Sequence, residues 1–220
     1  MGASGMRGDI KYRPPQIKPE HYFGPEYLSK GRFMSYWHQI NEIVSLMPSS
    51  VLEIGIGPGI VAYCLGKMGF KITTMDIDKH LRPDVVGSVM AIPFSDNSFD
   101  LVAAFQVLKH LPYEEFPKAL REIHRVTRCY AMLSLPDCTR AYRFEIQIPR
   151  MGDFRILIPL PRLKAPVQRF DGQHYWEIGK AGYSLRRVLE DIRCSGFRVV
   201  KCYRVFEMPY HRFFVLAKGG

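Results

Sequence analysis

The sequence predicts an α/β domain built on a doubly wound, mostly parallel sheet, because short apolar segments of strand length alternate with segments of helical periodicity. A glycine-rich turn also joins the first apolar segment to the helix that follows it. The composition, 47% hydrophobic and 24% charged, is that of a globular domain, and 220 residues suffice for one full core. We expect a seven-stranded sheet with an antiparallel final strand.

The N-terminal region predicts an arm followed by a helix. Residues 7–25 are rich in proline, glycine and aromatic side chains, and proline restricts the backbone to extended or turn conformations. We therefore expect an irregular arm over residues 1–26 and a single domain over residues 27–220. Helical periodicity over residues 27–46 predicts an amphipathic helix that ends near Pro48 and packs Trp37 in the core.

The remaining elements are predicted from apolar runs and from the glycine and proline residues that end them. The strand predictions cover residues 51–54, 71–76, 99–105, 130–134, 197–206 and 211–218. The helix predictions cover residues 60–68, 113–126 and 184–195. Gly69 and Gly196 end two of these helices, and Pro209 lies in the turn between the last two strands.

Residues 140–175 break this alternation. Two segments with period-two alternation flank the predicted turn Met151-Gly152-Asp153, and their prolines suit edge strands or loops. About 35 residues rarely support a core of their own. We therefore expect a small β-rich insertion on the sheet, at about residues 140–180.

Charge and cysteine content limit the possible partners. The net charge is +10, and residues 121–170 hold 10 Lys and Arg against 4 Asp and Glu. Such a basic half attracts nucleic acid, anionic lipid or an acidic small molecule, or is simply a solvated surface. The five cysteines lack metal-ligand spacing, so we expect no metal and no disulfide framework. No apolar run reaches the roughly 20 residues that span a bilayer, and we expect a cytoplasmic protein.

The glycine-rich turn predicts a nucleoside ligand. The first strand ends in Glu53, and the pattern ExGxGxG places glycines at alternate positions before the helix, where unpaired N–H groups face a ligand. A dinucleotide fingerprint would require glycine in place of Ile60. Asp76 ends the second strand and can accept hydrogen bonds from both hydroxyls of a ribose.

Several segments resemble the motifs of one family. VLEIGIGPG, TTMDID, AIPFSDNSFDLV, FQVLKHLP and REIHRV are similar to motifs of the class I methyltransferases of the type 11 group, which use S-adenosylmethionine (SAM). The resemblance covers residues 51–134 and implies a Rossmann-like fold with SAM as cofactor. It is nearly silent on the methyl acceptor.

The resemblance also implies a cofactor set. In the family, the glycine loop contacts the methionine moiety, the acid after the second strand holds the ribose, and the following segments enclose the adenine and line the reacting methyl group. The matching residues are Glu53, Gly55, Gly57, Gly59, Asp76, Ile77, Ser88, Val89, Met90, Phe105 and Gln106. Two positions depart from the family: Ser88-Val89 replaces the common Asp-Ala, and Lys109 replaces the glutamate of Glu-His-Leu.

Transfer from a sulfonium centre depends mainly on alignment and exclusion of water, but an amine, hydroxyl or thiol acceptor must also lose a proton. His110 is the first candidate base, followed by His174 and the more remote His211. Histidines of this kind are more often packing or surface residues than bases. The resemblance also implies that an aromatic arm with Tyr22, Tyr27, Tyr36 and Trp37 could close over the cofactor. Residues 171–180 of the insertion are a candidate region for acceptor recognition.

Three functions remain open at this point. The favoured one is methyl transfer from SAM to a small molecule, glycan or lipid that the sequence does not identify. The second is methylation of RNA through the basic half, which no recognisable RNA-binding module supports. The third is a non-catalytic SAM-fold regulatory protein, against which the intact glycines and Asp76 weigh. The oligomeric state is left open.

Overall fold

The computed structural model describes residues 17–162 and 164–219. The helices are α1 Lys30–Leu46, α2 Ile60–Lys67, α3 Phe116–Val126 and α4 Leu185–Cys194. The strands are β1 Val51–Ile54, β2 Ile72–Asp76, β3 Val85–Val86, β4 Phe99–Phe105, β5 Thr127–Pro136, β6 Ala141–Ile148, β7 Gly152–Pro159, β8 Phe197–Arg204 and β9 His211–Lys218. None of the helices in these ranges combines the length and apolarity needed to cross a bilayer.

Seven strands form one sheet in the order β3-β2-β1-β4-β5-β9-β8. β1 pairs in parallel with β2 and β4, and β9 runs antiparallel to both β5 and β8. The predicted mostly parallel sheet with an antiparallel final strand is therefore confirmed. The sequence located six of these strands. It missed β3, because two residues are too short to display a period.

Helices cover both faces of the sheet. Along β4, Leu101 and Ala103 join the apolar cluster that contains residues of α1 and α2, whereas Val102 and Ala104 join the cluster that contains residues of α3 and α4. Alternate side chains of a strand point to opposite faces, so burial on both sides gives the continuous apolar runs from which the strands were predicted.

The N-terminal region differs from the prediction in three respects. Residues Pro19–Phe23 and Pro25–Leu28 form 3₁₀ helices, so the described part of the arm is not irregular; residues 1–16 lie outside the described ranges. α1 begins at Lys30, because the Ser29 hydroxyl accepts a hydrogen bond from the Arg32 N–H and caps the helix there. Trp37 is 53% exposed and does not lie in the core.

The insertion also departs from the prediction. β6 and β7 pair with each other as a separate antiparallel ribbon and do not extend the main sheet. The turn is two residues earlier than expected: Ile148 pairs with Gly152, and the Met151 N–H donates to the Ile148 carbonyl. Gly152 is the first residue of β7, with a φ of 92°. The glycine therefore lies at the exit of the turn and not at its centre.

Candidate active site

A cavity of about 420 Å³ lies at the carboxyl ends of β1, β2 and β4. β2 lies on one side of β1 within the sheet, and β4 lies on the other side. The cavity therefore lies at the point where the strand order reverses. Its volume falls in the range of small-molecule sites, about 300–1,000 Å³. The arm contributes His21, Tyr22 and Tyr27 to its lining.

The glycine turn forms one wall. A Cβ on Gly55 would lie 2.3 Å from Cγ2 of Val107, and φ there is 79°, so only glycine fits. Gly57 lies beneath the ring of Tyr22 with a φ of 51°. Gly59 caps α2 with a φ of 74° and does not line the cavity. The turn thus exposes backbone to the cavity and covers it with an aromatic ring from the arm.

Four buried polar atoms of cavity residues have no hydrogen-bond partner within the described part of the chain: Glu53 Oε2, Gln106 Oε1, Arg32 Nε and the Tyr36 hydroxyl. Burial raises the pKa of Glu53 to about 8 and that of Tyr36 to about 12. Gln106 holds a φ of 59°, which is uncommon for a residue other than glycine. Two acceptors and two donors therefore share one cavity, and unpartnered buried groups of this kind favour a ligand that pairs with them.

Asp76 is held by the backbone of the adjoining turns. Its Oδ2 accepts from the Ile56 N–H at 3.0 Å, and its Oδ1 accepts from the Asp78 N–H at 2.9 Å. Burial raises the pKa of this carboxyl group. Ile77, Ser88 and Val89 line the same region, whereas Met90 lies outside the lining and donates its N–H to the Ser88 hydroxyl.

His174, which also lines the cavity, is paired with a carboxylate. Nδ1 of His174 lies 3.0 Å from Oε1 of Glu177, and the Tyr210 hydroxyl donates to the same oxygen. Although burial alone would raise it, the pKa of Glu177 is lowered, because hydrogen bonds from His174 and Tyr210 favour the carboxylate. A carboxylate accepts from Nδ1–H, so Nε2 of His174 keeps its lone pair.

Burial lowers the pKa of three other basic groups that line the cavity. Nδ1–H of His110 donates to the Gln173 carbonyl at 2.8 Å, and burial together with the nearby Lys109 lowers the His110 pKa to about 3. Burial also lowers the pKa of His211 to about 3, with Nδ1 2.7 Å from the Ser35 hydroxyl. Burial lowers the pKa of Lys109 to about 7.

Known proteins match this chain along its central part. A family model described as a methyltransferase domain matches residues 52–133. The demethylmenaquinone methyltransferase of Renibacterium salmoninarum is 28% identical over 167 residues, which cover 68% of this chain and 66% of that protein. That of Corynebacterium efficiens is 33% identical over 119 residues, which cover 50% of this chain and 51% of that protein. The chain thus spans just under two thirds and about half of the length of these relatives.

A solved S-adenosylmethionine-dependent methyltransferase from Clostridium acetobutylicum has the same fold, with a TM-score of 0.61 at 9% identity over 92% of this chain and 100% of that one. Along residues 52–133 the chain is similar to the class I methyltransferases of the type 11 group. The cofactor of this family is SAM.

The structure brings most of the sequence-predicted site residues together around one cavity. Nine residues of the implied cofactor set and all three candidate histidines line it, and only Gly59 and Met90 do not. Within the described ranges, no group of three or more His, Cys, Asp or Glu side chains could hold a metal ion.

Sequence reasoning missed three residues of the site: Arg32 as a donor, and Glu177 and Tyr210 as partners of His174. It named Tyr36 as an aromatic residue beside the cofactor but not as a donor. Arg32 is one of many arginines, and nothing in its neighbours distinguishes it. The spacing of His174 and Glu177, three residues apart, was a usable signal that two polar side chains could meet.

Proposed function

We propose that this methyltransferase transfers the methyl group of SAM to a small hydroxylated ring compound of the quinol type. The observation that carries the proposal is the hydrogen bond between His174 and Glu177, because His174 lines the same cavity as the residues of the four unpartnered polar atoms. The names of the two relatives, both demethylmenaquinone methyltransferases, favour this class of acceptor.

The unpartnered atoms fit the amino-acid end of SAM. Glu53 and Gln106 offer acceptors to an α-ammonium group, and Arg32 and the Tyr36 hydroxyl offer donors to an α-carboxylate. The raised pKa of Tyr36 keeps its hydroxyl protonated and therefore able to donate. Donors and acceptors in equal number are complementary to a zwitterion, which supports this orientation.

The nucleoside end would lie along the loops that follow β2 and β3. Asp76 already accepts two backbone N–H groups and has lone pairs left for the ribose hydroxyls. Ile77 and Val89 supply apolar contacts to the adenine, and the Ser88 hydroxyl can accept from the adenine amine. When bound, SAM supplies a methyl group activated by its sulfonium sulfur.

His174 is the residue we assign to removing the proton of the acceptor, at Nε2. Glu177 fixes its tautomer and stabilises the imidazolium that forms, and Tyr210 holds that carboxylate in place. A pKa of about 3 makes His110 a poor proton acceptor near neutrality. Lys109, with a pKa of about 7, can be protonated beside the acceptor and stabilise a phenolate. The geometry therefore favours His174 over His110 as the base.

The test is methyl transfer from SAM carrying a labelled methyl group, with demethylmenaquinone as acceptor in its oxidised and reduced forms. We expect label to enter the reduced form, whose hydroxyl groups can be deprotonated. Purified RNA and a glycan extract serve as competing acceptors in the same assay. Label that enters RNA or glycan and never the quinol would contradict the assignment of the acceptor.

A further inference from the structure

The β6–β7 ribbon has an apolar face that is exposed. Cross-strand partners lie on the same face, and the register pairs Tyr142 with Ile158, Phe144 with Ile156 and Ile146 with Phe154. Together with Ile148 these side chains form what we call the apolar ribbon face, and each is between 37% and 65% exposed. Met151, at the turn, is 82% exposed. Contiguous exposed apolar patches of this kind mark interaction surfaces.

The opposite face of the ribbon turns toward the body of the protein. Arg143 donates to the Glu207 carbonyl at 3.1 Å, and Arg155 lies 3.2 Å from the Glu207 carboxylate. The Arg155 guanidinium also lies 5.8 Å from the centre of the Phe206 ring. Leu157, on this face, is less exposed than its neighbours in β7. The ribbon is therefore amphipathic, but its charged face turns toward the protein and its apolar face toward the outside. In most sheets with one solvated face, the apolar face is the buried one.

Charge indicates what covers the apolar ribbon face. Residues 140–169 carry seven basic and two acidic side chains. The basic residues are Arg140, Arg143, Arg150, Arg155, Arg162, Lys164 and Arg169. Two copies of the chain, each with a net charge of +10, would bring like charges together at this surface. An exposed apolar face on a segment in which basic residues outnumber acidic ones instead matches the boundary between acyl chains and anionic headgroups.

We propose that the apolar ribbon face docks this protein on the surface of an anionic lipid bilayer. The docked ribbon lies next to the candidate active site. A second cavity at the base of the ribbon is lined by Tyr142 and Arg143, and it shares Met208 and Tyr210 with the first cavity. In this arrangement the acceptor side of the site lies beside the bilayer. This inference rests on the proposed function and specifies the acceptor further, as a lipophilic quinol held in that bilayer.

The test is sedimentation of the full chain with vesicles of equal parts phosphatidylglycerol and phosphatidylcholine, and with vesicles of phosphatidylcholine alone. We expect binding to the anionic vesicles that falls as salt is raised. The double variant Phe144→Ser/Ile156→Ser removes one cross-strand pair of the apolar ribbon face, and we expect at least tenfold weaker vesicle binding. The matched control Tyr63→Ser/Val200→Ser removes two exposed apolar side chains from other elements and should bind like the wild type.

Equal vesicle binding by the wild type and the ribbon variant would overturn the proposal, as would failure to bind anionic vesicles. A concentration-dependent dimer that the ribbon variant abolishes would assign the face to a second copy instead, and ribbon-dependent RNA binding would assign it to nucleic acid. SAM affinity, measured calorimetrically, distinguishes the two proposals. The ribbon variant should keep the wild-type affinity for SAM, whereas a chain that binds vesicles but no SAM would contradict the proposed function alone.

Discussion

Replacing Glu53 by glutamine changes the charge of the cavity with little change of shape. In the ligand-free protein the pKa of Glu53 is about 8, whereas an unperturbed glutamate titrates at 4.5. The folded state therefore holds a proton that the unfolded state has lost, and stability falls as pH rises from 4.5 toward 8. Between pH 4.5 and pH 7 the unfavourable proton linkage accumulates over about 2.5 pH units at about 1.4 kcal/mol each. Glu53→Gln should therefore stabilise the ligand-free protein at pH 7 by at most about 3.5 kcal/mol.

Urea unfolding of SAM-free protein at pH 4 and pH 7 measures this difference. We expect the stabilisation at pH 7 and none at pH 4, where glutamate is protonated in both states. Glu114→Gln, at an exposed glutamate, is the matched control and should change stability little at either pH. Destabilisation by Glu53→Gln at pH 7 would refute the reasoning, because it would mean that the buried group is already ionised and paired.

Binding of SAM should favour the ionised form of Glu53. An ammonium group beside Glu53 favours the carboxylate, so the wild type should release close to one proton at pH 7 when SAM binds. Calorimetric titration in buffers of different ionisation enthalpy measures that proton. The Glu53→Gln variant should release none from this position and bind SAM roughly 10- to 100-fold more weakly, since a hydrogen bond to a charged group contributes about 1.5–3 kcal/mol.

Three further substitutions test the site and the core. Asp76→Ala should weaken SAM binding about tenfold or more, because the contacts to the ribose hydroxyls are lost. An affinity for SAM that calorimetry finds unchanged would show that Asp76 does not bind the ribose. His174→Asn should lower kcat at least about 100-fold at pH 7 and leave SAM affinity unchanged, whereas His110→Asn should lower kcat less. A larger loss of kcat in His110→Asn than in His174→Asn would identify His110 as the base. Trp176→Ala should reduce the free energy of unfolding by about 3–5 kcal/mol, because the side chain is fully buried against Tyr113 and Phe116. A loss below about 1 kcal/mol would show that residues after the ribbon are not part of the main core.

The sheet was predictable from local patterns because its strands are buried on both faces. The segments at β1 and β4 are apolar except for Glu53 and Asp100. Gly55, with a φ of 79° and no room for a Cβ, marked the turn between strand and helix. The turn of the ribbon is two residues earlier than the pattern predicts, because Gly152 ends it instead of occupying its centre. The expectation for Trp37 was wrong because a large aromatic side chain is a poor indicator of which face of a helix is buried.

The site was predictable only where it is local in sequence. Gly55 and Asp76 lie at the carboxyl ends of the first two strands, in motifs that the sequence displays directly. Because the ends of parallel strands meet at one edge of the sheet, the sequence alone predicts that both residues face one ligand. Arg32 comes from α1, and no local signal brings it to the glycine turn. Tyr210 meets Glu177 only after the chain has passed through α4 and β8. Such contacts depend on tertiary packing, which sequence patterns do not encode residue by residue.

The central claim is that the four unpartnered polar atoms bind the amino-acid end of the cofactor. A crystal structure of the complex with S-adenosylhomocysteine tests it directly. We expect the ammonium group about 3 Å from Glu53 Oε2 and Gln106 Oε1, and the carboxylate against Arg32 Nε and the Tyr36 hydroxyl. A complex in which the ligand lies elsewhere, or in which Glu53 Oε2 and the Tyr36 hydroxyl stay without partners, would contradict the account.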